Sequence, residues 1–293
     1  MANILIAGCG DLGAALGRMF CENGHQVWGI RRRAEAVPAP IKGLALDLAE
    51  PLDPDRLPAA DVVFYTAAAG GADEEAYHRA YVLGPRHLIA ALAARAPRRI
   101  FFSSSTRVYH QSGGEWVDEQ SPTRPLDFRG RVMLRGEAEI LGAPFPGTVV
   151  RFSGLYGPGR YRLVVSAAAG AHGTIHPPVY GNRIHRRDAA RVLVHLAALA
   201  RPESIYLASD SDPAPMHEVS TWIRERLRRS GVTDAPLGAT PGPIPRNSKR
   251  CRNQRLLAGG FHFEYPSYRD GYAPIIEAWL RENNPLLFND LDG

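Results

Sequence analysis

Short apolar runs alternate along this chain with longer stretches whose apolar residues recur every three or four positions. The first run, "NILIAG" (3–8), ends in glycine, and Leu12, Ala15, Leu16, Met19 and Phe20 follow at helical spacing. "HQVWGI" (25–30), "LAL" (44–46), "DVVFYTA" (61–67), "RRIFFSSS" (98–105) and "GTVVRFSG" (147–154) read as further strands. "EEAYHRAYVLGPRHLIAALAAR" (74–95) predicts a long helix kinked at Gly84-Pro85, where proline removes a backbone donor. Residues 128–142 predict another helix between the last two strands. Strand–helix alternation of this kind predicts an α/β fold, a Rossmann-type doubly wound parallel sheet covered on both faces.

After residue 154 the texture changes. Pro, Gly and His cluster in "GPGRY" and "AHGTIHPPVYGNRIH", which read as loops and short strands. Helical spacing returns at 186–200, 216–229 and roughly 268–282, and "SIYLAS" (204–209) reads as a strand rejoining the sheet. Between the last two helices, "APLGATPGPIPRNSKR" has too little apolar content for a core. The expected division is a nucleotide-binding domain over 1–154, rejoined by 182–208. Residues 155–181 and 209–293 then form a smaller substrate-binding part.

Composition narrows the function classes. The 293 residues, 45% hydrophobic, suffice for one large domain or two small ones. No apolar run approaches the ~20 residues of a membrane span. The N-terminus lacks the basic start of a signal peptide. Cys9, Cys21 and Cys251 have no metal-ligand spacing, so a reducing, cytoplasmic setting and no metal site are expected. The net charge is +5 and the pI about 9.3, but Lys42 and Lys249 are the only lysines. The densest basic cluster, "RERLRRS" (224–230), fits the solvated face of a helix that also holds Trp222, Ile223 and Leu227. A small phosphate-bearing ligand suits this excess better than nucleic acid. Neither nucleic acid nor a membrane is an expected partner, and the oligomeric state is open.

The chemistry begins at "AGCGDLG", which places Gly8, Gly10 and Gly13 as G-x-G-x-x-G between a strand and a helix. That context predicts a dinucleotide pyrophosphate at the helix N-terminus, with Gly10 letting the backbone approach it and Gly13 allowing close helix–strand packing. Asp11 is expected at the helix start, where a carboxylate favours the dipole and caps the first turn. At the end of the second strand stand Arg31, Arg32 and Arg33, where an acidic residue would accept bonds from a ribose 2′-hydroxyl. Guanidinium groups pair with a 2′-phosphate, so NADP(H) is favoured over NAD(H).

Several later segments resemble the extended short-chain dehydrogenase/reductases of the NAD-dependent epimerase/dehydratase type. They are "FFSSSTRVYH" (101–110), "DEQSPTRP" (118–125), "VVRFSGLYGPGR" (149–160), "NRIHRRDAAR" (182–191) and "SIYLASD". The order is right over nearly the whole chain, and "SKRCRNQRLLAGGFHFEYPSYRDGY" (248–272) is similar to the tail of an atypical YeeZ-like subgroup. The resemblance implies a catalytic serine at Ser105 and adds Leu12, Asp47, Ala67, Ala68, Ser103 and Phe152 to the cofactor contacts. It also implies a Y-G-x-S-K-x-x-x-E pattern on the helix at 128–142, with tyrosine as acid/base and lysine holding the ribose.

Laid on "RGRVMLRGE", that pattern puts Arg129 at the tyrosine and Met133 at the lysine, and no Tyr-x-x-x-Lys exists anywhere in the chain. General acid–base catalysis is typically worth ~10²–10⁴-fold, and an arginine, with pKa above ~12, is a poor donor near neutrality. Arg129 then serves as a clamp for an anionic substrate group or as a solvated helix residue, and Met133 packs. Tyr109 and Tyr156 are the phenols available to replace the lost donor, Tyr156 also as a substrate contact. His176 and His185 flank the Pro-rich loop where substrate would enter, His185 either touching substrate or capping its helix. Two readings follow. One is an oxidoreductase or epimerase on a small polar or nucleotide-linked substrate. The other is a non-catalytic NADP(H)-binding sensor or interaction protein.

Overall fold

Each apolar run becomes a strand because a parallel sheet buries both faces and accepts side chains of one kind on each. The computed structural model describes residues 1–171, 175–232 and 248–283. In chain order the first half holds β1 (Asn3–Ala7), α1 (Asp11–Glu22), β2 (Gln26–Arg31), β3 (Lys42–Ala45), β4 (Val62–Tyr65), α2 (Glu74–His78), α3 (Gly84–Leu92) and β5 (Arg99–Ser105). Then come β6 (Gly113–Val117), α4 (Phe128–Leu141), β7 (Gly147–Phe152), β8 (Gly154–Tyr156), α5 (Arg162–Ala168) and β9 (Arg183–His185). The chain continues with α6 (Arg186–Ala198), β10 (Ile205–Ala208), α7 (Met216–Arg229), β11 (Ser248–Cys251), α8 (Gln254–Ala258) and α9 (Tyr268–Asn283).

Seven strands form one sheet in the order β10-β7-β5-β4-β1-β2-β3, parallel throughout. Alternation along β1 sorts its side chains into two cores. Leu5 and Ala7 join Val63, Phe102, Val132 and Ile140 on one face, while Ile4 and Ile6 join Leu16, Phe20, Val192 and Leu196 on the other. The first face is covered by α3 and α4, the second by α1 and α6. Strand order reverses between β1 and β4, which opens a crevice over their carboxyl ends. A third core, with Tyr156, Val164, Ile223, Tyr272 and Trp279, lies among α5, α7 and α9.

The helix over 74–95 is interrupted directly before Gly84-Pro85: a π-helical turn, Arg79–Leu83, joins α2 to α3, and Pro85 sits in the first turn of α3. A proline there gives up a bond that the first turn would not make, and the wide turn absorbs the change of register. Strands β6 and β11, paired with each other in parallel, were not foreseen. The Pro-rich expectation falls largely on 233–247, outside the described residues.

Candidate functional site

The glycine turn is shaped by one conformational requirement and one close approach. Gly8 has φ +92°, and a Cβ there would overlap the backbone of Ala67. At Gly13 a Cβ would lie 2.8 Å from both the Gly8 carbonyl and the Thr66 hydroxyl, which themselves hydrogen-bond at 2.9 Å. Gly10 is different: a Cβ would meet nothing within 4 Å, because this residue faces a cleft of about 1210 Å³. Strand, turn and helix therefore pack tightly on every side except the one a phosphate would occupy.

The cleft collects most of the residues expected from the sequence. Gly8, Gly10, Asp11 and Leu12 line its centre, with Ala67 and Ala68 opposite. Arg31, Arg32, Arg33 and Asp47 line one end; Ser103, Ser105 and Phe152 line the other. Gly13 lies beneath the turn. Arg31 is held by a bond from Nη1 to the Ala36 carbonyl at 2.9 Å, and Asp47 Oδ1 accepts from the Ala49 amide at 3.0 Å. At the far end Ser105 Oγ accepts from the Arg107 amide at 3.2 Å. Two further hydroxyls on this wall, Ser103 and Ser153, are buried and have no partner among the described residues. A buried hydroxyl left unbonded costs about 1–3 kcal/mol, so these two atoms suit a ligand with hydrogen-bonding edges. The open face at Gly10, the arginines and the orphan serines together fit a dinucleotide.

Asp11 does not cap α1 as expected; Gly10 is the cap residue and makes no side-chain bond. The Asp11 carboxylate instead receives Arg160 Nε and Nη2 at 3.1 and 2.7 Å, and it pairs with Arg186.

Four expected residues stand outside the cleft wall. Tyr109 is turned into the core, where its hydroxyl donates to the Asp118 carbonyl at 2.7 Å and accepts from Arg151 at 3.1 Å. Burial pushes its pKa well up, against the opposing pull of Arg151, so it is no proton donor for the cleft. Behind it Arg151 forms a buried two-point pair with Glu137, at 3.0 and 2.7 Å, which also accepts from Ser104 at 2.5 Å. Tyr156 is likewise buried, stacked on Tyr272 with ring centroids 4.7 Å apart, and its pKa is driven up by burial and by Asp210. Arg129 is half-buried, bonded to the Ala72 carbonyl at 3.0 Å and lying over the Tyr77 and Phe128 rings. One turn on, Met133 lines the cleft itself. The clamp reading of Arg129 gains no support, and the lysine position is a thioether wall.

His185 takes the capping alternative. Its ring accepts from the Arg187 amide at 3.3 Å and packs 3.9 Å from the Tyr265 ring, away from the cleft. Burial lowers its pKa from 6.5 to about 4, so it is neutral at pH 7. Between those values the unfolded chain binds a proton that the folded chain refuses, so stability rises with pH across the window. The neutral form contributes fully above 6.5, and about 3 kcal/mol is lost as pH falls to 4. In His185→Asn, which keeps a capping side chain, urea midpoints measured from pH 7 to pH 4 should lose this component of the slope. An unchanged slope would refute the assignment.

Sequence reasoning missed Arg160, Ser153, Tyr65 and Tyr81 on the cleft wall. Of these, only Arg160 and Ser153 sit in motifs that had been singled out. Among the described residues no cluster of three or more metal-ligating side chains occurs, and no helix is long and apolar enough to cross a membrane.

Comparison with known proteins agrees with this geometry. The sequence pattern of the NAD dependent epimerase/dehydratase family matches residues 4–208. A dTDP-6-deoxy-L-talose 4-dehydrogenase (NAD(P)(+)) from Kitasatospora kifunensis is 30% identical over 270 residues, covering 82% of this chain and 83% of its own. A 2-alkyl-3-oxoalkanoate reductase from Stenotrophomonas maltophilia is 27% identical over 250 residues, covering 75% of this chain and 73% of its own. A solved structure from Methylobacillus flagellatus, assigned to the NAD-dependent epimerase/dehydratases, superposes with a TM-score of 0.76 at 35% identity, covering 95% of this chain and 98% of that one.

Proposed function

Because the chain belongs to the NAD-dependent epimerase/dehydratase family, we propose that it binds NADP(H) in preference to NAD(H) and acts as an oxidoreductase or epimerase on a small polar, nucleotide-linked substrate. The observation that carries the cofactor half is one cleft holding the open face of Gly10, three arginines at one end and the unbonded Ser103 and Ser153 hydroxyls at the other. The substrate half rests on the Kitasatospora relative, whose name specifies a dTDP-linked sugar.

In this reading Arg31 and Arg32 hold the 2′-phosphate, and the amides of Asp11 and Leu12 at the open start of α1 face the pyrophosphate, while the Gly10 amide stays on the Gly8 carbonyl at 2.7 Å. Bound nicotinamide supplies the hydride donor or acceptor. Ser105 presents its hydroxyl from the end of β5 and orients the reacting oxygen of the substrate. With Tyr109 buried and Met133 on the wall, no phenol–lysine pair serves the site, and water carries the proton. Residues 155–181 and 209–293 are taken as the substrate-binding part.

A charge-assisted hydrogen bond contributes about 1.5–3 kcal/mol, or roughly 10–150-fold in affinity. Arg31→Ala/Arg32→Ala should therefore weaken NADPH binding about tenfold or more and leave NADH nearly unchanged, read by nucleotide fluorescence. Equal losses for both nucleotides would remove the 2′-phosphate assignment.

Met133 favours a second reading, since a thioether at the lysine position neither holds a ribose by charge nor assists a proton transfer. The protein would then be a non-catalytic NADP(H) sensor. Purified protein with stoichiometric NADPH, offered 4-keto nucleotide sugars and simple 3-oxoacids, separates the two. Oxidation at 340 nm, or an epimerised sugar detected by NMR, supports the enzyme; an untouched cofactor with every substrate unchanged supports the sensor.

A further inference from the structure

A carboxylate at the mouth of a phosphate-binding helix is a contradiction that this structure resolves with two arginines. Asp11 opens α1 and lines the cleft beside Gly10, where its charge opposes an incoming pyrophosphate. Arg160 and Arg186 neutralise it from different elements. Arg186 begins α6 and is not part of the cleft wall, whereas Arg160 ends the "GPGR" loop and lies on that wall. The loop folds back through Arg160 Nη1, which donates to the Leu155 carbonyl at 3.2 Å. Gly159 within it has φ +78° and no neighbour within 4 Å of a Cβ, so the loop has room to shift.

We propose that Arg160 is a pyrophosphate-binding residue held in reserve by Asp11: on cofactor binding its guanidinium turns from the carboxylate to the phosphates and draws the 157–160 loop across the cleft. The proposal rests on the cofactor reading above. Two arginines on one carboxylate make the exchange possible, since Arg186 still neutralises Asp11 when Arg160 leaves. Both guanidinium nitrogens now on Asp11 are the kind that bind phosphate in two-point fashion. The ion pair given up is 43% and 39% exposed on its two sides, so breaking it costs little. Arg160 is then the link between the cofactor and the substrate side of the chain, because the loop it ends leads directly into α5.

Titration of the full-length protein with NADPH and with adenosine 2′-monophosphate, which lacks the pyrophosphate, tests this. Arg160→Gln should raise the NADPH Kd at least fivefold and leave that of the monophosphate within twofold. Asp11→Asn should lower the NADPH Kd severalfold, since it removes both the repulsion and the competitor for Arg160. An unchanged NADPH Kd in Arg160→Gln overturns the proposal, as does an equal loss for both ligands, which marks a general collapse of the cleft. Unchanged or weaker NADPH binding in Asp11→Asn overturns the exchange. If the wild-type protein binds neither NADPH nor NADH, the cofactor reading falls and this proposal with it; if it binds and the variants match it, only the role of Arg160 falls.

Discussion

Replacing Arg151 with methionine should lower the free energy of unfolding by about 3–5 kcal/mol, the usual result of removing one partner from a buried ion pair. Glu137 is 3% exposed and Arg151 4%, so the remaining carboxylate keeps its desolvation penalty and loses its counter-charge. Among the described residues Ser104 then becomes the only side chain bonding that carboxylate, and Tyr109 loses the guanidinium that donates to its oxygen. Urea unfolding monitored by far-UV circular dichroism reads the loss as a lower midpoint. The double variant Glu137→Leu/Arg151→Met should recover most of it, because both desolvation penalties disappear together. If the double variant is as unstable as the single one, the pair is no isolated electrostatic unit and the site depends on its shape. The pair bridges α4 and β7, with Ser104 of β5 as third member. It thereby fixes the helix that carries Met133 against the strand that ends in Ser105.

Six of the seven strands of the main sheet were legible as short, largely buried apolar runs, while edge strand β3, mostly exposed, showed only through its apolar end at Leu44. Strands β6 and β11 were not legible, for "GGEWV" and "SKRC" have neither alternation nor a continuous apolar run. What holds them is each other, across more than 130 residues, and the backbone bonds of that pairing leave no trace in composition. The glycine turn and the arginine run were legible for a related reason: their chemistry is local, written in neighbouring residues.

Tyr109, Tyr156 and His185 show the opposite case. Tyr109 stands four residues after Ser105 in sequence, yet the 3₁₀ turn Thr106–Val108 turns the chain and aims the phenol into the core. Sequence proximity says nothing about that rotation. Whether a phenol or an imidazole is available for proton transfer depends on burial, which distant segments supply: Tyr272 for Tyr156 and Tyr265 for His185. Arg160 was missed because its partner, Asp11, lies 149 residues earlier in the chain.

The glycine turn yields the sharpest separation of folding from binding. Gly10→Ala should leave the melting temperature within a few degrees of wild type and weaken NADPH binding about tenfold or more. Its φ of −84° is negative, and the added methyl meets no protein atom within 4 Å, so packing gives folding no reason to suffer. The methyl does enter the cleft, in the space that the proposed cofactor reading gives to the pyrophosphate, and losing one charge-assisted bond there costs about 1.5–3 kcal/mol. Gly8→Ala should do the reverse. At φ +92° an L side chain is strained by roughly 1–2 kcal/mol, and the methyl overlaps the Ala67 backbone just past the end of β4. Relief requires β1 and β4 to part at the point where strand order reverses, which damages the sheet and the crevice together. Differential scanning fluorimetry of both variants, with and without NADPH, reads the two effects at once. A Gly10→Ala protein with wild-type stability and an undiminished NADPH-induced shift in melting temperature would mean that the ligand does not approach this turn. The phosphates would then have to sit elsewhere in the cleft.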